Sequence, residues 1–262
     1  MATRAAPILT RILESRRVAI AQLKANGRSE LARSIAEAPA PVDFRGALVA
    51  DRVALIAECK ERSPSGGMLQ RPYDPVGLAR RYVGSGAAAL SVLTEPEFFG
   101  GNLSHLHAIR AAVHVPLLCK DFIVDPVHLM AARAAGADAV LLIVAVLDDA
   151  RLRDLLAVTH GYGMHALVEV HDETEVERAL QADAAIIGIN NRDLTAMRTD
   201  KGTTARLRPL IPAGHVVVSE SGIESRADID ALERLSVNAA LVGESLLRAP
   251  DLEAKVRELS GR

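Results

Sequence analysis

Between residues 53 and 243, short runs rich in β-branched residues and leucine alternate with alanine-rich amphipathic stretches, and the pattern repeats eight times. Strands are expected at 53–60, 89–94, 116–122, 139–145, 166–170, 186–190, 216–221 and 239–243. Parallel strands need a crossover, usually a helix, and the stretches at 75–83, 126–135, 149–159, 173–180 and 226–235 have the helical period for it. Asp74-Pro75 and Asp125-Pro126 read as helix starts, with aspartate as cap and proline in the first turn. Eight β-then-α units in about 200 residues predict an α/β fold of the (β/α)8 TIM-barrel type. An open doubly wound sheet would gather its polar residues at one switch point. Here they recur at nearly every strand's carboxyl end.

Residues 1–50 precede the first strand. Ile8, Leu9, Ile12, Leu13, Val18 and Ile20 suggest an amphipathic helix, and Pro39 and Pro41 a break. This segment is too small to bury a core of its own, so the expectation is one domain over 1–262 with 1–50 as a helical extension packed on the barrel. Of the 262 residues 49% are hydrophobic, enough for a large core without a disulfide. Lysine and arginine (31) nearly balance aspartate and glutamate (33), so no basic face points to nucleic acid. No apolar run reaches about 18 residues and the amino terminus lacks a signal-peptide core, so no membrane partner and a cytoplasmic location are expected. A closed barrel offers no strand edge to a partner, and a monomer is expected.

The stretch VALIAECKERSPSGGM, residues 53 to 68, carries the densest chemistry. Side chains alternate faces along a strand, so Glu58 and Lys60 share one face and Cys59 takes the other. Cys119 likewise precedes a lysine at a strand end. With one strand between them the two thiols stand roughly 9 to 10 Å apart, beyond the approximately 7 Å that a disulfide spans. Buried free thiols are expected.

Inward polar residues at strand ends are Glu58 and Lys60 on the first strand, Lys120 on the third, Glu169 on the fifth, Asn190 on the sixth, and Glu220 with Ser221 on the seventh. Each alone fits a salt-bridged rim. Together, at the catalytic end of a barrel, they can hold an anion, donate a proton and accept one. Ser221-Gly222-Ile223 after strand seven and Gly243-Glu244-Ser245 after strand eight occupy the common phosphate position of barrels, where glycine lets N–H groups approach and a helix amino terminus favours charge. Glu244 is awkward there, because a carboxylate repels a phosphate. Its N–H would contribute while its side chain points away.

The segments CKERSPSGG, LTEPEFFGG, LLCKDFIVDP, GADAVLLIVAVL, LVEVHDETE, IIGINNRDL, VVSESGI and LVGESLLR closely resemble the indole-3-glycerol-phosphate synthase family of tryptophan biosynthesis. The resemblance spans every βα unit from residue 53 to about 248 and, more loosely, the extension. It implies a lyase acting on 1-(2-carboxyphenylamino)-1-deoxyribulose 5-phosphate. The ring carbon bearing the carboxylate attacks the ketone, carbon dioxide leaves, and water is lost to give indole-3-glycerol phosphate. No cofactor and no metal are implied. Lys120 would protonate the carbonyl oxygen, Glu169 would act as acid or base in the dehydration, and Lys60 would sit against the substrate carboxylate as a second candidate donor. Glu58, Asn190, Glu220 and Ser221 would orient the lysines and the sugar hydroxyls. The division of proton transfers between the two lysines stays open.

The benzene ring needs an apolar slot, and Pro64, Phe99, Leu141 and Leu194 stand near strand ends, where core or loop packing would equally account for them. Arg62 and Ser63 would add phosphate contacts to Gly222, Gly243 and Glu244, and the loop at 62–67 would close over substrate. With no tryptophan and 3% aromatics, any aromatic contact from the extension would pass to Ile8 or Leu9. The histidines, His105, His107, His114, His128, His160, His165, His171 and His215, fall outside the strand-end motif and are expected on the surface or on helices. Competing readings are a sugar-phosphate isomerase, needing only one acid and one base, a Schiff-base aldolase using Lys120, and a silent scaffold, which would not keep all seven strand-end groups.

Overall fold

A computed structural model, which describes residues 8–64, 66–193 and 198–262, closes eight parallel strands into a barrel. The strands are β1 (Ala54–Cys59), β2 (Ala89–Leu93), β3 (Leu117–Lys120), β4 (Ala139–Ile143), β5 (His165–Val170), β6 (Ile186–Asn190), β7 (Val216–Glu220) and β8 (Ala239–Val242). Each pairs with its neighbours in sequence, and β8 returns to β1 through Ala54↔Ala239 to Ala57↔Val242. Two strands stop two residues short of their expected ends. β4 gives way to a 3-10 turn at Val144–Val146. β3 ends at Lys120 because the Asp121 carboxylate accepts the Phe122 N–H at 2.8 Å.

Asp74 caps the helix Pro75–Gly84 by accepting from the Gly77 N–H, and Asp125 caps Pro126–Ala134 by accepting from Val127. These bonds satisfy amides that a helix start leaves without intrahelical partners.

Strand alternation divides the core in two. Ala54, Ile56, Leu118, Leu141, Leu167, Val218 and Leu241 fill the barrel, while Leu55, Ala57, Val92, Val140, Val168, Ile187 and Val217 face the helical layer. Cys59 and Cys119 belong to the outer layer as buried free thiols, each in register with Val92 between them.

The extension comprises α1 (Ile8–Asn26), α2 (Arg28–Glu37) and α3 (Phe44–Leu48). Phe44 and Leu48 are fully buried in the barrel-interior cluster. In α1, Ile8, Ile12, Arg16 and Ile20 recur every four residues on one face, and Ile12, Arg16 and Ile20 are buried. Val18, expected on the apolar face, is 62% exposed, since two residues from Arg16 turn it to the far side. No described helix is long and apolar enough to cross a membrane.

Candidate active site

Each strand's inward register delivers one side chain to its carboxyl end, and there they border a cavity of about 660 Å³. Glu58, Lys60, Lys120, Glu169, Asn190, Glu220 and Ser221 all line it. The register Ile143↔Glu169↔Gly188 and Asn190↔Glu220↔Leu241 brings the polar ends to nearly one height. Two glycines make room for carboxylates. A Cβ on Gly188 would collide with Glu220 Oε1, and one on Gly243 with Glu58 Oε1.

Lys120 is the hub. Its Nζ lies 2.9 Å from Glu220 Oε2 and 3.8 Å from Glu169 Oε2. Burial disfavours its charge, but Glu220, Glu169 and Glu58 outweigh that and raise its pKa above the ordinary lysine value. One lysine cannot hold all these carboxyls ionised. Burial pushes Glu220 up to about 7, with Lys120 offsetting only part and the like charges of Glu169 and Glu58 adding to it. Burial works the same way on Glu169, yet His171, Lys120 and Asn190 overcome it and hold that carboxyl below its ordinary value. Glu58 is also lowered, its burial outweighed by Lys60, with which it forms a buried ion pair, and by Lys120 and Arg192. The site therefore pairs a carboxylate held below its ordinary value, Glu169, with one pushed well above it, Glu220.

Beyond β6 and β7 the loops are locked by polar bonds. Ser221 Oγ donates to Asn190 Oδ1 at 2.9 Å, and Asn191 Nδ2 donates to the Ser221 carbonyl at 2.9 Å. Ser221 has φ +67°, an uncommon left-handed conformation for a residue with a side chain. Gly222 follows at φ +80°, so the chain turns sharply into the cavity wall. Ser245 Oγ donates to the Ile223 carbonyl at 2.8 Å, joining this loop to the one after β8. Gly243 and Glu244 line the cavity, and the Glu244 carboxylate is engaged by Arg248 at 2.8 Å and Arg192 at 3.9 Å. Its charge is thereby balanced by two arginines.

Pro64, Phe99 and Leu141 border the apolar side with Leu93, Phe122 and Ile143, and the Phe99 and Phe122 rings lie 6.2 Å apart. Phe99 is set by Glu95, whose buried carboxylate accepts the N–H groups of Glu97, Phe98 and Phe99. Ile8 and Leu9 pack beside Phe98 and Phe99 against the interior cluster but do not line the cavity. Arg62 and Ser63 do not line it either. Arg62 donates through Nη2 to the carbonyls of Pro96 and Glu97, and Ser63 Oγ accepts the Gly66 N–H at 2.9 Å, so both are engaged by the loop framework. Leu194 lies outside the described residues.

His105, His107, His128 and His160 lie on helices as expected, whereas two histidines stand at the ends of β5. His128 is buried, His165 opens β5, and His171 sits against Glu169, its Nε2 3.4 Å from Oε1. Arg192, Lys201, Phe122 and Arg248 also line the cavity and were not singled out from sequence. A signal for three of the missed residues was present. Carrying strand alternation one step past the strand, from Lys120 to Phe122, Glu169 to His171 and Asn190 to Arg192, keeps each on the inward face.

The family model described as indole-3-glycerol phosphate synthase matches residues 9–259. The chain belongs to that family. The indole-3-glycerol phosphate synthase of Roseiflexus sp. (strain RS-1) is 50% identical over 264 residues, 97% of this chain and 98% of that protein. The relative named indole-3-glycerol phosphate synthase 2 from Streptomyces coelicolor is 50% identical over 233 residues, 89% of this chain and 90% of that protein. Among solved structures, 3-hexulose-6-phosphate synthase from Salmonella typhimurium superposes with a TM-score of 0.65 at 17% identity, over 80% of this chain and 97% of that one. Thiamine phosphate pyrophosphorylase from Pyrococcus furiosus gives 0.60 at 15%, over 80% and 94%. At such identities the likeness speaks to the barrel alone.

Proposed function

We propose that the chain converts 1-(2-carboxyphenylamino)-1-deoxyribulose 5-phosphate into indole-3-glycerol phosphate, carbon dioxide and water. The observation that carries this reading is Lys120, charged and bracketed by Glu220 and Glu169, facing an apolar slot in the same cavity. Family membership supplies the reaction; the geometry supports an assignment of labour. Carbon dioxide and water are the only coproducts, so acid and base groups suffice.

Lys120 is the general acid, protonating the ketone oxygen as the ring carbon attacks and so removing developing negative charge. Lys60, held by Glu58, faces the substrate carboxylate and keeps it oriented until it departs. In the dehydration Lys60 gives a proton to the departing hydroxyl, which leaves as water, and Glu169, ionised, takes the proton from the adjacent carbon as the new ring becomes aromatic. Asn190 and Ser221 hold Glu169 and the sugar hydroxyls in place. Pro64, Phe99 and Leu141 receive the benzene ring. The phosphate lies along Gly222, Gly243 and Glu244, whose backbone N–H groups are its donors in this reading, with Arg192, Lys201 and Arg248 as the cations on that wall.

Every group in this scheme comes from one chain, barrel and extension acting as one domain, so a monomer suffices. Two free buried thiols accord with a reducing, cytoplasmic setting. The test is to add the carboxyphenylamino-deoxyribulose phosphate and follow indole fluorescence together with release of one carbon dioxide per product. A folded protein that forms no product would sink the reading.

A further inference from the structure

His171 lies one residue beyond β5, in phase with Glu169 and therefore turned inward. Its two ring nitrogens meet two different carboxylates. Nδ1 is 3.0 Å from Glu175 Oε2, which also accepts the His171 backbone N–H at 2.8 Å, and Nε2 is 3.4 Å from Glu169 Oε1. A neutral imidazole has one donor and one acceptor, so a carboxylate oxygen at each nitrogen suits only the doubly protonated ring. Burial opposes that charge, and Glu169 and Glu175 together outweigh it, raising His171 to about 10.

Glu169 is bracketed in turn. Its Oε2 faces Lys120 at 3.8 Å while its Oε1 faces His171, and that oxygen has no hydrogen-bond partner among the described residues. Lys120 sits closer to Glu220, at 2.9 Å. The groups that act on Glu169 are thus Lys120 from β3, Asn190 from β6, Glu220 from β7 and His171 beyond its own strand, with Glu58 on β1 reaching it through Lys120.

We propose that His171, oriented by Glu175, is a positioning residue for the acid–base chemistry of Glu169: its imidazolium grips Oε1, keeps the carboxylate ionised and leaves Oε2 facing the cavity. This rests on the reading of Glu169 as the dehydration base. Lys120 shares the work of holding Glu169 ionised with His171, and is thereby freer to act as an acid toward substrate. Glu175 belongs to the helix Glu173–Gln181, so the helix start fixes the ring's orientation.

The experiment compares His171→Ala and His171→Gln with the parent protein in two readouts. One is the pH profile of kcat and KM. The other, independent of turnover, is the carbon-13 carboxyl titration of Glu169, assigned by its absence in Glu169→Gln. His171→Ala should lower kcat by about tenfold or more with KM little changed, and should move the acid limb of kcat and the Glu169 titration upward by about one pH unit. His171→Gln restores a donor but no charge, so it should recover part of kcat while the titration stays displaced. If His171→Ala does not fold, Glu175→Gln, which frees the ring from outside, should shift the same titration in the same direction. An unmoved Glu169 titration would overturn the proposal even if kcat fell, since a purely structural histidine lowers rate or stability without changing that value. If the parent protein makes no indole-3-glycerol phosphate, the functional reading falls while the titration still decides whether His171 governs Glu169.

Discussion

Lys120 on β3 and Glu220 on β7 meet across the barrel mouth at 2.9 Å, although 100 positions separate them in the chain. The bond joins strands that are not neighbours in the sheet, so it exists only because the barrel is closed. It also places the site's central cation beside Glu220, whose carboxyl burial pushes up to about 7.

Replacing the hub tests its role directly. Lys120→Met should reduce turnover by about 10²- to 10⁴-fold, the range for loss of a general acid. Substrate binding, followed by isothermal titration, should persist. Folding stability should change little, because Glu220 can keep its proton once the lysine is gone. Near-normal product formation would place the acid elsewhere.

The elevated Glu220 value has a stability consequence with a definite sign. The unfolded chain releases this proton at about 4.3, whereas the folded site keeps it until about 7. Across that window the folded state binds more protons, so the contribution of Glu220 to stability falls as pH rises. Glu220→Gln mimics the protonated form and lacks this fall. Melting curves at pH 5 and pH 8 should therefore show the variant gaining on the parent at the higher pH, whereas a constant difference would refute the assignment.

Arg16 ties α1 to the strand carrying Lys120. Its Nη1 lies 3.3 Å from Asp121 Oδ2, and both side chains are about nine-tenths buried. Arg16→Ala leaves Asp121 with Thr94 Oγ1 and the Phe122 N–H as its remaining hydrogen bonds. Breaking a buried pair in this way should cost about 3 kcal/mol, a fall in Tm of about 6 to 12 °C. Adding Asp121→Asn should recover much of that loss in a double-mutant cycle.

Arg248 should matter less, and in a different quantity. Its Nη2 donates to the Gly66 carbonyl at 3.3 Å and its Nε to Glu244 at 2.8 Å, but more than half of its side chain is exposed. Exposed pairs contribute at most about 1 kcal/mol. Arg248→Ala should raise KM by about fivefold or less, weaken inhibition by inorganic phosphate, and quicken proteolysis near Gly66, with kcat retained. An unchanged phosphate inhibition constant would remove Arg248 from the anion wall.

What the chain alone determined follows from periodicity. Alternation by two in strands and by 3.6 in helices located the eight βα units, and the same alternation put Glu58 beside Lys60 and turned Cys59 away. Aspartate before proline marked two helix starts that the structure caps as expected. These are local properties, written in nearest neighbours. Other features needed the closed barrel. Arg62 and Ser63 resembled phosphate ligands, yet the fold gives Arg62 the carbonyls of Pro96 and Glu97 beyond β2 and Ser63 the Gly66 amide of its own loop. His171 looked peripheral until Glu175 and Glu169 were placed on either side of it. Glu220, Glu169 and Glu58 are ordinary acids in the sequence, and burial together with the unequal neighbours each meets, His171 at Glu169, Lys60 at Glu58 and the shared Lys120, drives their proton affinities apart. Charge coupling depends on distance and burial, and both were decided when distant strands closed into a ring.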